Sequence, residues 1–276
     1  MEQVWNTTVS TVLDWCGGDE RLLFTVLFLL GSAGTFYLVN LVFAVFYYFD
    51  LFPNKRIPRP LGIKPESPQT IRKALIHVNA VILSSPIGMY FLYDLYKWRG
   101  MDMTAPLPGF WKTLGYLAVS LVVEDTLFYW GHRILHHPSI YKHIHKQHHQ
   151  FHACVGIAAL YAHPIEEVVA NFIPTYSGCL ISGCPLSVMV LWSFLRLWET
   201  VDAHSGYAFD WSPWNLFLTI QGGAERHDFH HFQNKGSYGS FTKFWDWVCG
   251  TDEPYYQWRR EKKPAIVAAL NKAKAL

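Results

Sequence analysis

Histidine is the residue type in this chain whose number and spacing best fit metal chemistry. Nine of the 14 histidines in the 276 residues fall in three short runs. The runs are His132, His136 and His137, then His145, His148 and His149, and finally His227, His230 and His231. On a helix, residues three and four apart lie on one face, so each run directs two or three imidazoles towards one point. Nine imidazoles exceed the four ligands of a structural zinc and are enough to surround two metal ions. We therefore expect two clustered metals, although any single pair would be better explained as a solvated polar patch.

The types of ligand atom available limit which metals can bind and which reactions they can support. A shell of imidazoles suits iron, copper, nickel or zinc and does not suit calcium or magnesium, which prefer oxygen ligands. The five cysteines are scattered without C-x-x-C spacing, which indicates neither thiolate ligands nor a disulfide framework. No H-E-x-x-H segment of a zinc protease is present. So many imidazoles favour oxygen activation by two irons over hydrolysis, in apolar surroundings that keep water out.

Further polar residues could complete such a centre. His204 ends an apolar stretch and is predicted as a tenth metal ligand, whereas His163 is a possible ligand or only a cap before Pro164. Three carboxylates, Asp125, Asp202 and Asp228, are candidates to accept the free imidazole N–H and fix its tautomer. The sequence leaves open which of His136 and His137 binds the metal, and it predicts no catalytic residue beyond the ligands.

Composition places these histidines next to a membrane. Hydrophobic residues make up 51% of the chain and charged residues only 16%. We predict an all-α integral membrane protein, with the histidine-rich di-iron site on the cytosolic face. The apolar stretches cover residues 22–49, 74–93 and 111–130, and then residues 168–195, where Pro174, Gly178, Gly183 and Pro185 favour a hairpin. The carboxylates Glu124 and Asp125 interrupt the third stretch, which is typical of a functional position.

Orientation follows from basic residues. Lys55, Arg56, Arg59, Lys64, Arg72 and Lys73 follow the first stretch, and the positive-inside rule places them in the cytosol. The N-terminus, with a possible glycosylation sequon at Asn6, would be lumenal, and all three histidine runs and the C-terminus would be cytosolic. Lys272 and Lys274 match a dilysine retrieval signal to the endoplasmic reticulum.

We expect four regions along the chain. They are a lumenal segment (1–21), the first spans with their basic loop (22–112), a catalytic domain that includes the membrane hairpin (113–255), and a cytosolic tail (256–276). A net charge of +2 gives no sign of nucleic-acid binding.

The chain resembles the fatty acid hydroxylase and sterol desaturase superfamily, and within it the C-4 methylsterol monooxygenases. The segments that carry the resemblance are Glu124-Asp125-Thr126, the three histidine runs, Tyr161-Ala162-His163-Pro164, Asp202-Ala203-His204-Ser205-Gly206-Tyr207 and Gly250-Thr251-Asp252. It departs from the pattern at Arg226, where many relatives have histidine, and at Leu160.

The resemblance implies a reaction and its partners. The 4α-methyl group of a sterol intermediate would be oxidised to the carboxylic acid, which a separate dehydrogenase then removes. Two irons, which zinc may replace in a structure, would be the cofactor, and electrons would come from NAD(P)H through cytochrome b5 and its reductase. The chain has no His-Pro-Gly-Gly haem segment, so cytochrome b5 would be a separate protein. We expect the sterol to enter from the bilayer, with Arg226, Asp228 or Tyr207 as candidate contacts of its C-3 oxygen.

Two alternatives remain at the level of sequence. One is another lipid oxidase of the superfamily: a sterol C-5 desaturase, a sterol side-chain hydroxylase or a fatty acid hydroxylase. The other is a membrane protein that stores or carries metal. The second is less favoured, because a carrier needs a polar path through its spans and His77 and Asn79 offer little of one.

Overall fold

The structure is a computed structural model that describes residues 2–60, 66–214, 220 and 222–274. The prediction of an all-α chain is confirmed: about 73% of the residues are helical, and no strand occurs in the described ranges. The first four helices are α1 (Glu2–Trp15), α2 (Glu20–Tyr48), α3 (Pro68–Trp98) and α4 (Phe110–Leu135). Then come α5 (Pro138–Tyr141), α6 (Pro164–Glu166), α7 (Ile173–Ser182), α8 (Leu186–Ala203), α9 (Ala224–Gln233), α10 (Phe244–Cys249), α11 (Glu253–Glu261) and α12 (Lys263–Lys274).

Helices α2 and α3 contain the first two predicted apolar stretches. Asp19 caps α2 by accepting from the backbone N–H groups of Arg21 and Leu22, and Ser67 caps α3 just before Pro68. By length and composition, these two of the described helices could cross a membrane. Large apolar side chains of α3 remain exposed, among them Phe91 at 72%. Such a surface fits lipid better than water.

Helix α4 contains the third stretch, and α7 and α8 form the predicted hairpin. The turn lies at Gly183, whose φ of +60° suits glycine and whose added Cβ would stand 2.4 Å from the carbonyl oxygen of Arg99. Helix α7 lies tightly against α4, because a Cβ at Gly178 would stand 2.4 Å from the Cα of Ser120. The hairpin is thereby fixed against the helix that carries the first histidine run.

The three histidine runs meet where these helices end. His132 lies in the last turn of α4, the second run forms a 3-10 helix (His145–Gln150), and the third run lies in α9. A buried apolar cluster that includes Phe36, Val78, Phe151, Val201 and Tyr207 supports this end of the molecule. Lys64 of the predicted basic loop, and Ala275 and Leu276 of the predicted retrieval signal, lie outside the described residues.

Candidate metal centre

Nine histidines converge in two groups. The first group consists of His132, His136, His145, His149 and His230, and the second of His148, His204, His227 and His231. Within each group the candidate ligand atoms lie within 4.8 Å of one another. All are buried except His136 and His227, which are partly buried. The second and third runs therefore contribute to both groups, and the first run contributes to the first group alone.

Backbone carbonyls determine which ring nitrogen of the first group carries the proton. His132 donates from Nδ1 to the carbonyl oxygen of Tyr238 at 2.9 Å, and His230 donates from Nδ1 to that of Gly236 at 2.7 Å. A carbonyl can only accept, so in the neutral rings Nδ1 holds the proton and Nε2 has a free lone pair. That lone pair of His230 faces Nε2 of His136 at 3.1 Å.

The second group follows the same rule. His204 donates from Nδ1 to the carbonyl oxygen of Thr200 at 2.7 Å, which leaves its Nε2 unprotonated. That Nε2 lies 2.9 Å from Nε2 of His227 and 3.4 Å from Nε2 of His148. His231 approaches Nε2 of His227 at 3.1 Å. In each group, at least one Nε2 lone pair thus faces the Nε2 atom of another ring.

Hydrogen bonds alone cannot satisfy the contacts around His145. Its Nε2 lies 3.1 Å from Nε2 of His132 and 3.0 Å from Nε2 of both His136 and His149. One ring nitrogen carries either one proton or one lone pair, so it can make one of these three contacts as a hydrogen bond. A cation bound by several Nε2 lone pairs would satisfy all of them. The donor set and its arrangement therefore fit a bound metal ion in each group.

Burial keeps these imidazoles in the form that binds metal. Desolvation lowers the pKa of His136 to about 2 and that of His204 to about 4. It also holds the pKa of His148 and His231 well below the usual value. The rings are therefore neutral at physiological pH, and a metal does not have to displace a proton from them.

The two groups lie side by side. The rings of His149 in the first group and His231 in the second are stacked with centroids 4.5 Å apart. The rings of His145 and His148 are stacked at 5.5 Å. Since neighbours in one sequence run belong to different groups, the 3-10 helix at 145–150 joins the two centres.

Two predicted histidines lie outside both groups. His137 is exposed, and its Nδ1 accepts the backbone N–H of Ser139 at 3.4 Å. His163 accepts in the same way from the backbone N–H of Ile165 at 3.2 Å. Each precedes a proline that begins a short helix, α5 or α6, so each caps that helix instead of pointing to the centre.

The three predicted carboxylates make contacts other than those expected. Asp125 accepts hydrogen bonds from Thr242, and Asp202 accepts one from Ser212 at 3.4 Å. Asp228 pairs with Arg59 at 2.6 Å. None of these contacts is to a histidine. Asp228 instead connects α9 to the loop that follows α2.

Sequence reasoning missed the groups that orient the imidazoles. Glu166 accepts from Nδ1 of His145, with 2.7 Å between nitrogen and oxygen, and is 3% exposed. Burial, and then Glu167, raises the pKa of Glu166 well above its usual value. A cation on His145 favours the carboxylate form, which accepts from Nδ1. Proximity to His163 in sequence was the only signal for Glu166. The carbonyls of Tyr238, Gly236 and Thr200 carry no signal, since every residue has one.

A cavity adjoins the histidines. Its apolar lining includes Phe128, Leu135 and Ala170, and Ala170 belongs to a π-helix (Glu167–Phe172), a distortion that is frequent at functional sites. Arg196 also lines it, buried and paired with Glu124 at 2.8 Å and with Glu199 at 2.9 Å. The cavity is thus partly apolar and partly charged, next to both groups of imidazoles.

The family model for fatty acid hydroxylase matches residues 117–251. These residues include all nine converging histidines. A very-long-chain aldehyde decarbonylase of Oryza sativa subsp. indica is 35% identical over 86% of this chain and 88% of its own length. The chain belongs to the fatty acid hydroxylase family. This confirms the resemblance found in the sequence at the level of the family.

Methylsterol enzymes are among the relatives. A methylsterol monooxygenase of Arabidopsis thaliana is 40% identical over 59% of this chain and 62% of its own length. A C-4 methylsterol oxidase of Schizosaccharomyces pombe is 36% identical over 76% of this chain and 72% of its own length. No solved structure matches the chain. Relatives with these names indicate an oxidoreductase and leave the individual substrate to further argument.

Proposed function

We propose that this protein oxidises the C-4 methyl group of sterol intermediates to the carboxylic acid, with two irons as cofactor. The observation that carries the proposal is the pair of buried imidazole groups beside a cavity, in a chain with methylsterol-oxidising relatives. The ligands would be His132, His136, His145, His149 and His230 for one iron, and His148, His204, His227 and His231 for the other. When bound, the irons would supply the activation of dioxygen that oxidation of a methyl C–H bond needs.

The residues of the chain have three tasks in this reaction. The carbonyls at Thr200, Gly236 and Tyr238 hold imidazole lone pairs towards the irons. The apolar side of the cavity, with Phe128 and Leu135, excludes water from the reacting carbon. A cavity of fixed shape returns the same carbon to the irons, so one site can oxidise it repeatedly.

The proposed setting is the membrane of the endoplasmic reticulum. Helices α2 and α3 would cross it, the hairpin α7–α8 would enter it from the cytosolic side, and the imidazoles would lie at the cytosolic boundary. A sterol would then reach the cavity from the bilayer. Cytochrome b5 with its reductase would deliver electrons on the cytosolic face, and a sterol dehydrogenase that decarboxylates the product would act next.

The second candidate is conversion of very-long-chain aldehydes. It is favoured by the aldehyde decarbonylase from Oryza sativa, because the match with this chain covers 88% of the length of that relative. Both reactions bring a lipid to the same centre, so they differ in the part of the lipid that reaches the irons. The charged side of the cavity, with Arg196 and Arg226, can take the oxygen of either lipid, so the product formed distinguishes the two reactions.

One assay separates the candidates. The full chain, purified in detergent with iron, is supplied with oxygen, NAD(P)H, cytochrome b5, its reductase and either a methylsterol or a long-chain aldehyde. We expect the sterol 4-carboxylate from the first substrate and no hydrocarbon from the second. A hydrocarbon product, a desaturated sterol, a side-chain alcohol or a hydroxylated acyl chain would overturn the assigned reaction. A variant with His148→Ala is the control, because it removes one ligand and should form no product.

A further inference from the structure

Arg226 is a buried cation in the cavity wall whose hydrogen-bonding capacity is largely unused. It is 4% exposed, lines the cavity and immediately precedes His227. None of its guanidinium nitrogens has a hydrogen-bond partner among the described residues. Its charge is nevertheless balanced, since a guanidinium nitrogen lies 3.0 Å from Asp246 and another lies 3.8 Å from Asp252.

The Asp246 carboxylate has room for at most one N–H of Arg226. The Asp246 carboxylate already accepts from the backbone N–H of Tyr238 at 2.9 Å and of Gly239 at 2.7 Å, and from the hydroxyl of Thr251 at 2.6 Å. A guanidinium has five N–H donors, and leaving them unpaired in a buried site is costly. Most of the donors of Arg226 therefore lack an acceptor among the described residues.

Ser237 is a second buried polar group in the same wall without a partner. It is 1% exposed, lines the cavity, and its hydroxyl has no hydrogen-bond partner within the described part of the chain. Its φ of +57° is unusual for a residue with a side chain, and the preceding Gly236 has a φ of +67°. Strained backbone of this kind is found at ligand sites, where the surrounding structure holds it.

We propose that Arg226 and Ser237 form a subsite for one uncharged oxygen of the lipid, an alcohol or ketone. An alcohol can accept from the guanidinium and donate to the serine hydroxyl at the same time. A carboxylate fits less well, because Asp246 and Asp252 already outnumber the single positive charge of Arg226. Two buried donors in one wall also distinguish this subsite from Arg196, whose charge is paired with Glu124 and Glu199.

The subsite lies beside the reacting centre. Ser237 stands between Gly236 and Tyr238, whose carbonyls accept from the metal-facing His230 and His132. An oxygen bound there would lie next to the segment that orients these two histidines. This deepens the proposed function and rests on it: the oxygen would be the C-3 hydroxyl of the sterol, whose carbon is bonded directly to C-4. Arg226 and Ser237 are then positioning residues for the substrate.

The test compares a C-4 methylsterol that has the C-3 hydroxyl with its deoxy counterpart. Binding of each to the full-length protein in detergent is measured by quenching of tryptophan fluorescence, with metal content measured in parallel. Wild type should prefer the hydroxylated sterol by roughly tenfold, the order expected for a buried hydrogen bond. Ser237→Ala keeps a Cβ at the unusual φ and should reduce that preference roughly 3- to 10-fold with metal content unchanged. Arg226→Lys keeps the positive charge but loses the planar set of N–H donors, so it should also reduce the preference for the hydroxylated sterol.

Ser187→Ala is the matched control. Ser187 is also buried with an unpaired hydroxyl, but it is not among the residues lining the cavity, so the preference should stay at the wild-type value. The subsite is refuted if Ser237→Ala and Arg226→Lys both retain the wild-type preference, or if wild type oxidises methylsterols without any preference. If wild type discriminates through these residues but oxidises no methylsterol, the subsite stands and the proposed reaction falls. Failure to bind either sterol rejects both.

Discussion

Adjacent histidines at 136 and 137 should respond in opposite ways to substitution. Nε2 of His136 lies 3.0 Å from Nε2 of His145 and 3.1 Å from Nε2 of His230, whereas His137 is exposed and contacts the backbone of Ser139. Replacement of a group that only orients a ligand typically costs about 10- to 100-fold in metal affinity. His136→Ala removes a proposed ligand itself, so we expect a loss of at least about 100-fold from the first site.

His137→Ala should leave metal affinity unchanged. Loss of a good helix cap costs about 0.5–2 kcal/mol, and the long 3.4 Å contact of His137 places its effect at the low end, near 0.5 kcal/mol. The assay is the metal content of purified variants, by mass spectrometry after dialysis against a graded chelator, together with thermal unfolding. Equal metal loss in both variants, or full occupancy in His136→Ala, would refute the placement of these two residues.

Three further outcomes are expected. Glu166→Gln should weaken metal binding about 10- to 100-fold, because it alters the acceptor of an imidazole N–H, whereas Glu167→Gln should leave metal binding unchanged. Chelator titration measures the metal affinity of both variants, and equal affinities would contradict the orienting role of Glu166. Gly178→Leu should destabilise the protein by about 1–3 kcal/mol or prevent folding, because α7 touches α4 there. Gly115→Leu is the control, since the Cβ at that position has open space around it. Equal thermal unfolding temperatures of the two variants would show that the contact between α7 and α4 is loose. Asn6 should be lumenal and the C-terminus cytosolic, so a C-terminal tag should be digested by protease outside sealed microsomes, and protection of that tag would reverse the topology.

Much of the metal centre could be predicted, because the spacing of residues in the sequence shows which of them share one face of a helix. Runs spaced by three and four residues placed His145, His148 and His149 near one another, and acidic neighbours drew attention to His204. Charge-free stretches located α2 and α3, and the four helix breakers from Pro174 to Pro185 predicted the hairpin, whose turn lies at Gly183. Local patterns therefore predicted the elements and most members of the two groups.

The remaining details depend on tertiary contacts that no local pattern contains. His137 looks like a ligand in sequence, but Pro138 begins a new helix, and the imidazole caps it. Asp125 was expected near His132 from helical spacing, yet Thr242 comes from a distant segment and takes its hydrogen bonds. The division into two groups also could not be predicted, because His148 and His149 are adjacent in sequence and belong to different groups.

The most direct measurement is the number and position of metal ions in the protein loaded with iron. We expect two ions per chain, one within each group of imidazoles, with X-ray absorption dominated by nitrogen ligands. Anomalous scattering from crystals, or density in a cryo-electron microscopy map, should place them beside His145 and His204. A single ion, or a metal bound at His137 and His163, would contradict the assignment of two adjacent metal sites.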